Sequence, residues 1–429
     1  MCFNNFLIRA LSATVLAGLI ASCGGGGGGS ASAPPPPPTN ILPVTVDLGP
    51  TDENGKSVNA ANTLYTTVTV CQPGSSTNCT TIDHVLVDTG STGLRLLSSQ
   101  LPSSLALPNE TTSTGLPVLN CVQFVDNSFM WGPVATADVV LAGNTASNVP
   151  IQVIGAPTYD SLSGICQTGT PMNSIATLGA KGILGVGLFL QDCGSACAAP
   201  VSSINYYSGV YYTCTDARCS AATDLSVSAS HQLQNPVSLF ATNNNGLVVS
   251  LPSVASSATS ITGSIYFGIN TLSNNTLTGA TVLPTDGYGN ITTVFQGAST
   301  DNSYIDSGSN ALYFNSSTIP LCAANSVATG FYCPNALTPL TAVLSVTPPT
   351  TTPASVAVPF SIDNAAGSSV FGGSGSWSVY PTLAAPSGAP TFGFAAAFDW
   401  GLPFFFGKHV AIGFEGHTST LGSGTYFAF

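Results

Sequence analysis

Ile82-Asp83-His84-Val85-Leu86-Val87-Asp88-Thr89-Gly90-Ser91-Thr92 is the stretch on which the fold turns. An apolar, β-branched run leads straight into Asp-Thr-Gly-Ser, the pattern of a strand that ends by presenting a carboxylate on a tight turn. The pattern returns 218 positions later, where Ser303-Tyr304-Ile305 leads into Asp306-Ser307-Gly308-Ser309. Two such turns predict a duplicated β unit, with one carboxylate per half.

The residue types suit paired-carboxylate chemistry. The apolar strand fixes the place of each aspartate. Thr89 or Ser307 beside it can hydrogen-bond across the interface between halves. Gly90 and Gly308 let the backbone turn sharply and approach a carboxylate, and Ser91 and Ser309 can donate to its outer oxygen. Two carboxyls brought that close cannot both ionise, so the pair Asp88/Asp306 is expected to hold one proton between them. Such a pair supplies a general acid and a general base at once.

Outward from the two turns the chain reads as all-β. Short β-branched and aromatic runs occupy 42–48, 64–70, 138–142, 246–252, 263–269 and 290–296, separated by Gly, Pro, Asn and Ser, and helical periodicity is nearly absent. We read residues 41–224 as a first lobe carrying Asp88 and 225–429 as a second carrying Asp306. Only 6% of the 429 residues are charged and the net charge is −12, which argues against nucleic acid as a partner. No GxGxxG, P-loop or HExxH occurs, so no nucleotide cofactor and no metal are implied.

The N-terminus reads as an export signal. The apolar run at 10–21 is short for a membrane span and of the length of a signal-peptide core. It closes on Ile20-Ala21-Ser22-Cys23, which resembles the lipobox of bacterial lipoproteins and implies lipidation at Cys23. Residues 1–23 are thus the signal segment. Residues 24–40, rich in Gly, Ser and Pro, form a tether, and Gly24 resembles an outer-membrane sorting signal. The expected location is the cell envelope, with the membrane reached through the lipid. Of twelve cysteines, ten follow the lipidation site. In an exported chain these read as disulfides: Cys71–Cys79, Cys214–Cys219 and Cys322–Cys333 as local loops, with Cys121–Cys166 and Cys193–Cys197 completing the set. Pairing among Cys193, Cys197, Cys214 and Cys219 stays open, and the cluster lacks the spacing of a zinc site.

Taken together, the chain resembles the pepsin-like (A1-type) aspartic proteases, whose fold is bilobal, with two β-barrel-like lobes and a cleft between them. Gly182-Ile183-Leu184-Gly185-Val186-Gly187 resembles the apolar segment behind the first aspartate of that family. The segments at 235–240, 246–249 and 263–268 resemble its entry into the second lobe, and Trp400-Gly401-Leu402-Pro403-Phe404-Phe405-Phe406-Gly407 its second apolar-Gly segment. The strings VDTGSTGLRLL and GLPFFFG resemble a family of uncharacterised bacterial lipoproteins. Three departures stand out. Arg95 occupies the place of a tryptophan in pepsin-like enzymes. The flap hairpin expected between Cys121 and Gly143 lacks its tyrosine, leaving Phe124 and Trp131 as candidate cleft aromatics beside Arg95. Asp399 occupies an apolar position. His84 is expected to be a structural histidine sharing a face with Asp88, and Phe404–Phe406 to be core. The resemblance implies a monomeric, cofactor-free, exported aspartic-type endopeptidase acting on peptide or protein. The alternative is a non-catalytic lipoprotein binding peptide or glycan in the same cleft.

Overall fold

Strand after strand pairs in the computed structural model, which describes residues 39–124, 128–159, 166, 169–216, 221–346, 354–367, 369–372, 376–388 and 397–429. The first half contributes β1 (Ile41–Val46), β2 (Leu64–Cys71), β3 (Cys79–Asp88), β4 (Thr92–Leu97), β5 (Val118–Gln123), β6 (Phe129–Leu141), β7 (Asn144–Ile154), β8 (Gly182–Val186), β9 (Tyr211–Cys214) and β10 (Ala222–Asp224). The second contributes β11 (Gly246–Ser250), β12 (Ile261–Phe267), β13 (Val282–Pro284), β14 (Ile291–Phe295), β15 (Ala298–Ile305), β16 (Leu312–Tyr313), β17 (Thr338–Ser345), β18 (Ser355–Ile362), β19 (Ala384–Ala385), β20 (Asp399–Trp400), β21 (His409–Gly413), β22 (Thr418–Ser419), β23 (Gly422–Ser423) and β24 (Tyr426–Ala428). The all-β architecture read from the sequence is the one observed.

In the first half β6 pairs with β7 and, further along, with β2. That second pairing closes β2, β3, β8, β4, β7 and β6 into a ring, which leaves these strands no open edge. Alternate residues point inward, so Val68, Val70, Val85, Val87, Leu94, Leu96, Val139 and Ile151 fill the ring and are fully buried. In the second half a seven-stranded sheet runs β18-β17-β14-β15-β20-β16-β19. Its interior is aromatic: Phe398 stacks on Phe314 at 5.0 Å and on Trp400 at 4.5 Å between ring centroids. Phe404, Phe405 and Phe406 are buried, as expected of core residues.

The two halves share strands. β1 pairs with β2 and, over its whole length, with β12, and through β12 it joins β11, β21, β24 and β13. The 224/225 cut is also crossed by packing. Val227 and Leu233 sit in one cluster with Val118, Val134, Cys197 and Tyr211, and pairing with other second-half strands begins at Gly246.

The disulfides Cys71–Cys79, Cys121–Cys166, Cys193–Cys197 and Cys322–Cys333 are formed. Cys214 is disulfide-bonded as well. Cys219 lies outside the described residues, as do Cys23, the signal segment and all but the last two residues of the tether.

One local expectation fails. His84 adopts φ 50° at a register shift in the β2–β3 ladder. The bulge breaks the two-residue alternation, so His84 does not share a face with Asp88 through an unbroken strand. It packs edge-on against Tyr65 and pairs with Asp47 and Asp83, which keeps the structural role expected of it.

Candidate active site

Each aspartate arrives at the end of a strand wedged into a sheet. β3 runs parallel to β8, with Asp88 opposite Gly185, and β4 leaves the turn antiparallel to the same strand. In the second half β15 runs parallel to β20, and the N–H of Asp306 donates to Trp400 O at 3.1 Å. Both carboxylates therefore sit on backbone that neighbouring strands already hold.

The two turns then repeat each other atom for atom. Gly90 N–H donates to Asp88 Oδ1 at 2.8 Å, and Ser91 Oγ to Asp88 Oδ2 at 2.5 Å. Gly308 N–H donates to Asp306 Oδ1 at 2.7 Å, and Ser309 Oγ to Asp306 Oδ2 at 2.8 Å. Between them Thr89 and Ser307 interlock. Thr89 N–H donates to Ser307 Oγ at 3.1 Å and Ser307 N–H to Thr89 Oγ1 at 2.9 Å. Each hydroxyl in turn donates to the opposite strand, Thr89 to Ile305 O at 3.2 Å and Ser307 to Val87 O at 2.8 Å. Both side chains are buried, and both hydroxyls give and accept, so the interface carries polar groups without leaving these unpaired.

The interlock fixes the distance between the carboxyls. A Cβ placed on Gly90 would fall 2.7 Å from Asp306 Cγ, and one on Gly308 would fall 2.6 Å from Asp88 Oδ1. Only glycine permits so close an approach. The Asp306 carboxyl faces that of Asp88, and its proton is held well above the usual carboxylate range. Burial is the first cause, the facing charge of Asp88 the second, and Asp399 the third. Gly90 is exposed and Ser91, Asp306, Gly308 and Ser309 are half-buried, so one side of the pair meets solvent. All eight residues expected at the site are brought together.

The three candidate cleft residues are placed otherwise. Arg95 is 4% exposed. Its guanidinium donates to Thr92 O at 2.7 Å and pairs with Asp192 at 3.2 Å. Tyr211 Oη donates to the second oxygen of Asp192 at 2.7 Å, and Asn120 Nδ2 to the first at 3.2 Å. A buried arginine needs such a partner, so Arg95 is an interior tie between β4, β5 and β9 and does not line a cleft. Trp131 is buried against Tyr212 and donates its indole N–H to Tyr159 O at 2.7 Å. Phe124 packs on the cluster of Leu97, Met130, Ile154 and Ile183. Both aromatics are packing residues because the expected flap is not a free hairpin: β5 lies between β6 and β9, and the Cys121–Cys166 bridge fastens it.

A family model described as "Protein of unknown function (DUF3443)" matches residues 36–429. The chain belongs to this family. A search of curated proteins gives no match. Among solved structures, the chain of this DUF3443 member is similar to an aspartic proteinase from Irpex lacteus, at 18% identity and a TM-score of 0.46, over 90% of this chain and 96% of that one.

Sequence reasoning missed Asp192 in this family member. Its signal was faint: one acid close after the apolar segment at 182–187 in a chain poor in charge. Asp399 was legible as an oddity but without a neighbour. In the structure it is buried beside the carboxyl pair. Lys408 is another: it lines a cavity of about 490 Å³ with Trp400, Phe404 and Phe406, and burial holds its ammonium below its ordinary value.

Proposed function

We propose that the protein is an exported, lipid-anchored aspartic-type endopeptidase in which Asp88 and Asp306 share one proton. The observation that carries this reading is the reciprocal set of donors around the two carboxyls, with the Thr89–Ser307 interlock holding them in hydrogen-bonding range. Such a pair is an acid and a base in one place.

The chemistry follows from which carboxyl keeps the proton. Burial and the charge of Asp88 favour the proton on Asp306. A water between the carboxyls gives a proton to Asp88 as its oxygen attacks the peptide carbon. Asp306 gives its proton to the carbonyl oxygen, producing a neutral tetrahedral diol. Collapse returns a hydroxyl proton to Asp306 while Asp88 protonates the departing amine nitrogen, and the C–N bond breaks. Gly90 and Ser91, with Gly308 and Ser309, hold both carboxyls still throughout, which is the preorganisation such steps require. The disulfides support an oxidising compartment, and Cys23 supplies the anchor.

The fastened β5 favours a second reading, a lipoprotein that captures peptide or glycan without cleaving it, because a lid that cannot lift admits less. The test is cleavage of an unfolded protein by the full chain in detergent across about pH 3 to 8. Hydrolysis that is lost in Asp88→Asn and Asp306→Asn supports the enzyme. No hydrolysis at any pH, with peptide bound equally by wild type and Asp88→Asn, supports the binder. Mass spectrometry of the native N-terminus tests the anchor: an unmodified terminus starting elsewhere removes it.

A further inference from the structure

Asp399 is an acid beside the pair that the chemistry above leaves unused. It stands on β20, where Phe398 and Trp400 turn into the aromatic core and the residue between them faces the other way. Register sets it opposite Tyr304 of β15 and Tyr313 of β16. Its neighbour Trp400 supplies the carbonyl that receives the Asp306 N–H. The carboxyl is thus carried one residue away from the backbone that holds Asp306. It is 5% exposed, and its Oδ1 has no hydrogen-bond partner.

Ser309 connects the two acids. Its Oγ donates to Asp306 Oδ2 at 2.8 Å, and the same hydroxyl faces Asp399. One hydroxyl has one proton to give. While Ser309 spends it on Asp306, an ionised Asp399 would be a buried charge without that donor. A neutral Asp399 can instead donate its own O–H to Ser309 Oγ, completing a chain from Asp399 through Ser309 to Asp306. The groups facing Asp399 are Asp88 and Asp306 from the two turns, Tyr304, Tyr313 and Ser309; none of these is a cation. Burial pushes Asp399 up to about 8, with Ser309 opposing and the charge of Asp88 adding to the rise.

We propose that Asp399 is a further acid of the site which, set beside Asp306 on the neighbouring strand, keeps Asp306 protonated as the medium approaches neutrality. The inference rests on the endopeptidase reading for its consequence, a working range extended upward from that of two carboxyls alone. Once ionised, Asp399 repels charge on Asp306, and Asp306 keeps the proton longer.

The test is the pH profile of kcat/KM for the full chain and for Asp399→Asn and Asp399→Leu. The alkaline limb is expected to move down by about one pH unit in both variants, with the acid limb in place. A uniform fall in kcat with the limb unmoved would mean a merely structural role and would overturn the inference. Carboxyl titration by NMR on protein labelled at aspartate, in wild type and Asp399→Asn, reads the same effect without turnover. If Asp306 releases its proton at lower pH in the variant while wild type cleaves nothing, the coupling stands and only the endopeptidase reading falls. If Asp306 titrates unchanged, the inference falls whether or not the protein cleaves. Asn is nearly isosteric with Asp, so this variant decides the matter should the leucine variant fail to fold.

Discussion

The turn at Asp88 and the turn at Asp306 make the same four hydrogen bonds, yet the structure behind them differs. Behind Asp88, the unusual residue is Arg95, and its charge is answered by Asp192 with Tyr211 and Asn120 around it. Behind Asp306, the unusual residue is Asp399, and nothing of opposite charge answers it among the groups that face it. The first departure is thereby a structural tie. The second remains an unmet demand for a proton, placed beside the carboxyl that keeps one. Symmetry in the turns sets up the pair; in the proposed mechanism, the asymmetry behind them adds Asp399 to the burial and the Asp88 charge that favour the proton on Asp306.

The largest expected effect breaks the symmetry directly. Asp88→Asn and Asp306→Asn should each reduce kcat by about 10⁴-fold or more, with the double variant no worse, because residues acting as one unit are not additive. Single-turnover cleavage checks this. Gly308→Ala should cost cleavage on the same principle from the other side, since its Cβ would meet the Asp88 carboxyl at 2.6 Å; a loss of about 10²-fold is expected from such misplacement.

Next comes the tie behind Asp88. Asp192→Ala would leave Arg95 charged and unpaired in the interior, a loss of ~3–5 kcal/mol read by urea unfolding. A change within about 1 kcal/mol, the scale of a surface pair, would mean that the network is not what holds β5.

The counterpart behind Asp306 should respond with the opposite sign. Asp399 has its proton affinity raised on folding, from 3.8 to about 8. Its stabilising contribution is therefore complete below the unfolded value and is lost as pH rises through the folded one. Asp399→Asn should be more stable than wild type at pH 7, by ~2 kcal/mol or more, with the gain shrinking to nothing near pH 4.

The smallest effect lies far from both turns. Asp47, opposed by burial, holds the His84 imidazole above 6.5. The stability this gives is complete below that value and lost as pH climbs through the raised one. His84 is partly exposed, so the change between about pH 6 and 8 should stay under ~1 kcal/mol and vanish in His84→Gln.

The pair itself was legible because an apolar strand followed by Asp-Thr/Ser-Gly-Ser is a local pattern, and local patterns survive in sequence. Strands 64–70 and 246–252 were legible for the same reason and lie within a few residues of β2 and β11. The run at 138–142 showed only the end of β6, which extends from Phe129 because pairing with β5 supports residues that carry no alternation of their own. Arg95 was visible and misread: its partner stands 97 residues away, and no spacing rule links β4 to that loop. The flap failed likewise, since what fastens β5 is β9, a strand far along the chain. Asp399 was seen as out of place, but only the parallel pairing of β20 with β15 shows which carboxyl it lies beside.

The most direct measurement is cleavage of an unfolded protein by the full chain, followed by identification of the new termini, for wild type, Asp88→Asn and Asp306→Asn across about pH 3 to 8. Internal peptide bonds are expected to be cut by wild type alone, with both variants folded and equally inactive. Cleavage that persists in either variant, or a folded wild type that cuts nothing at any pH, would contradict it.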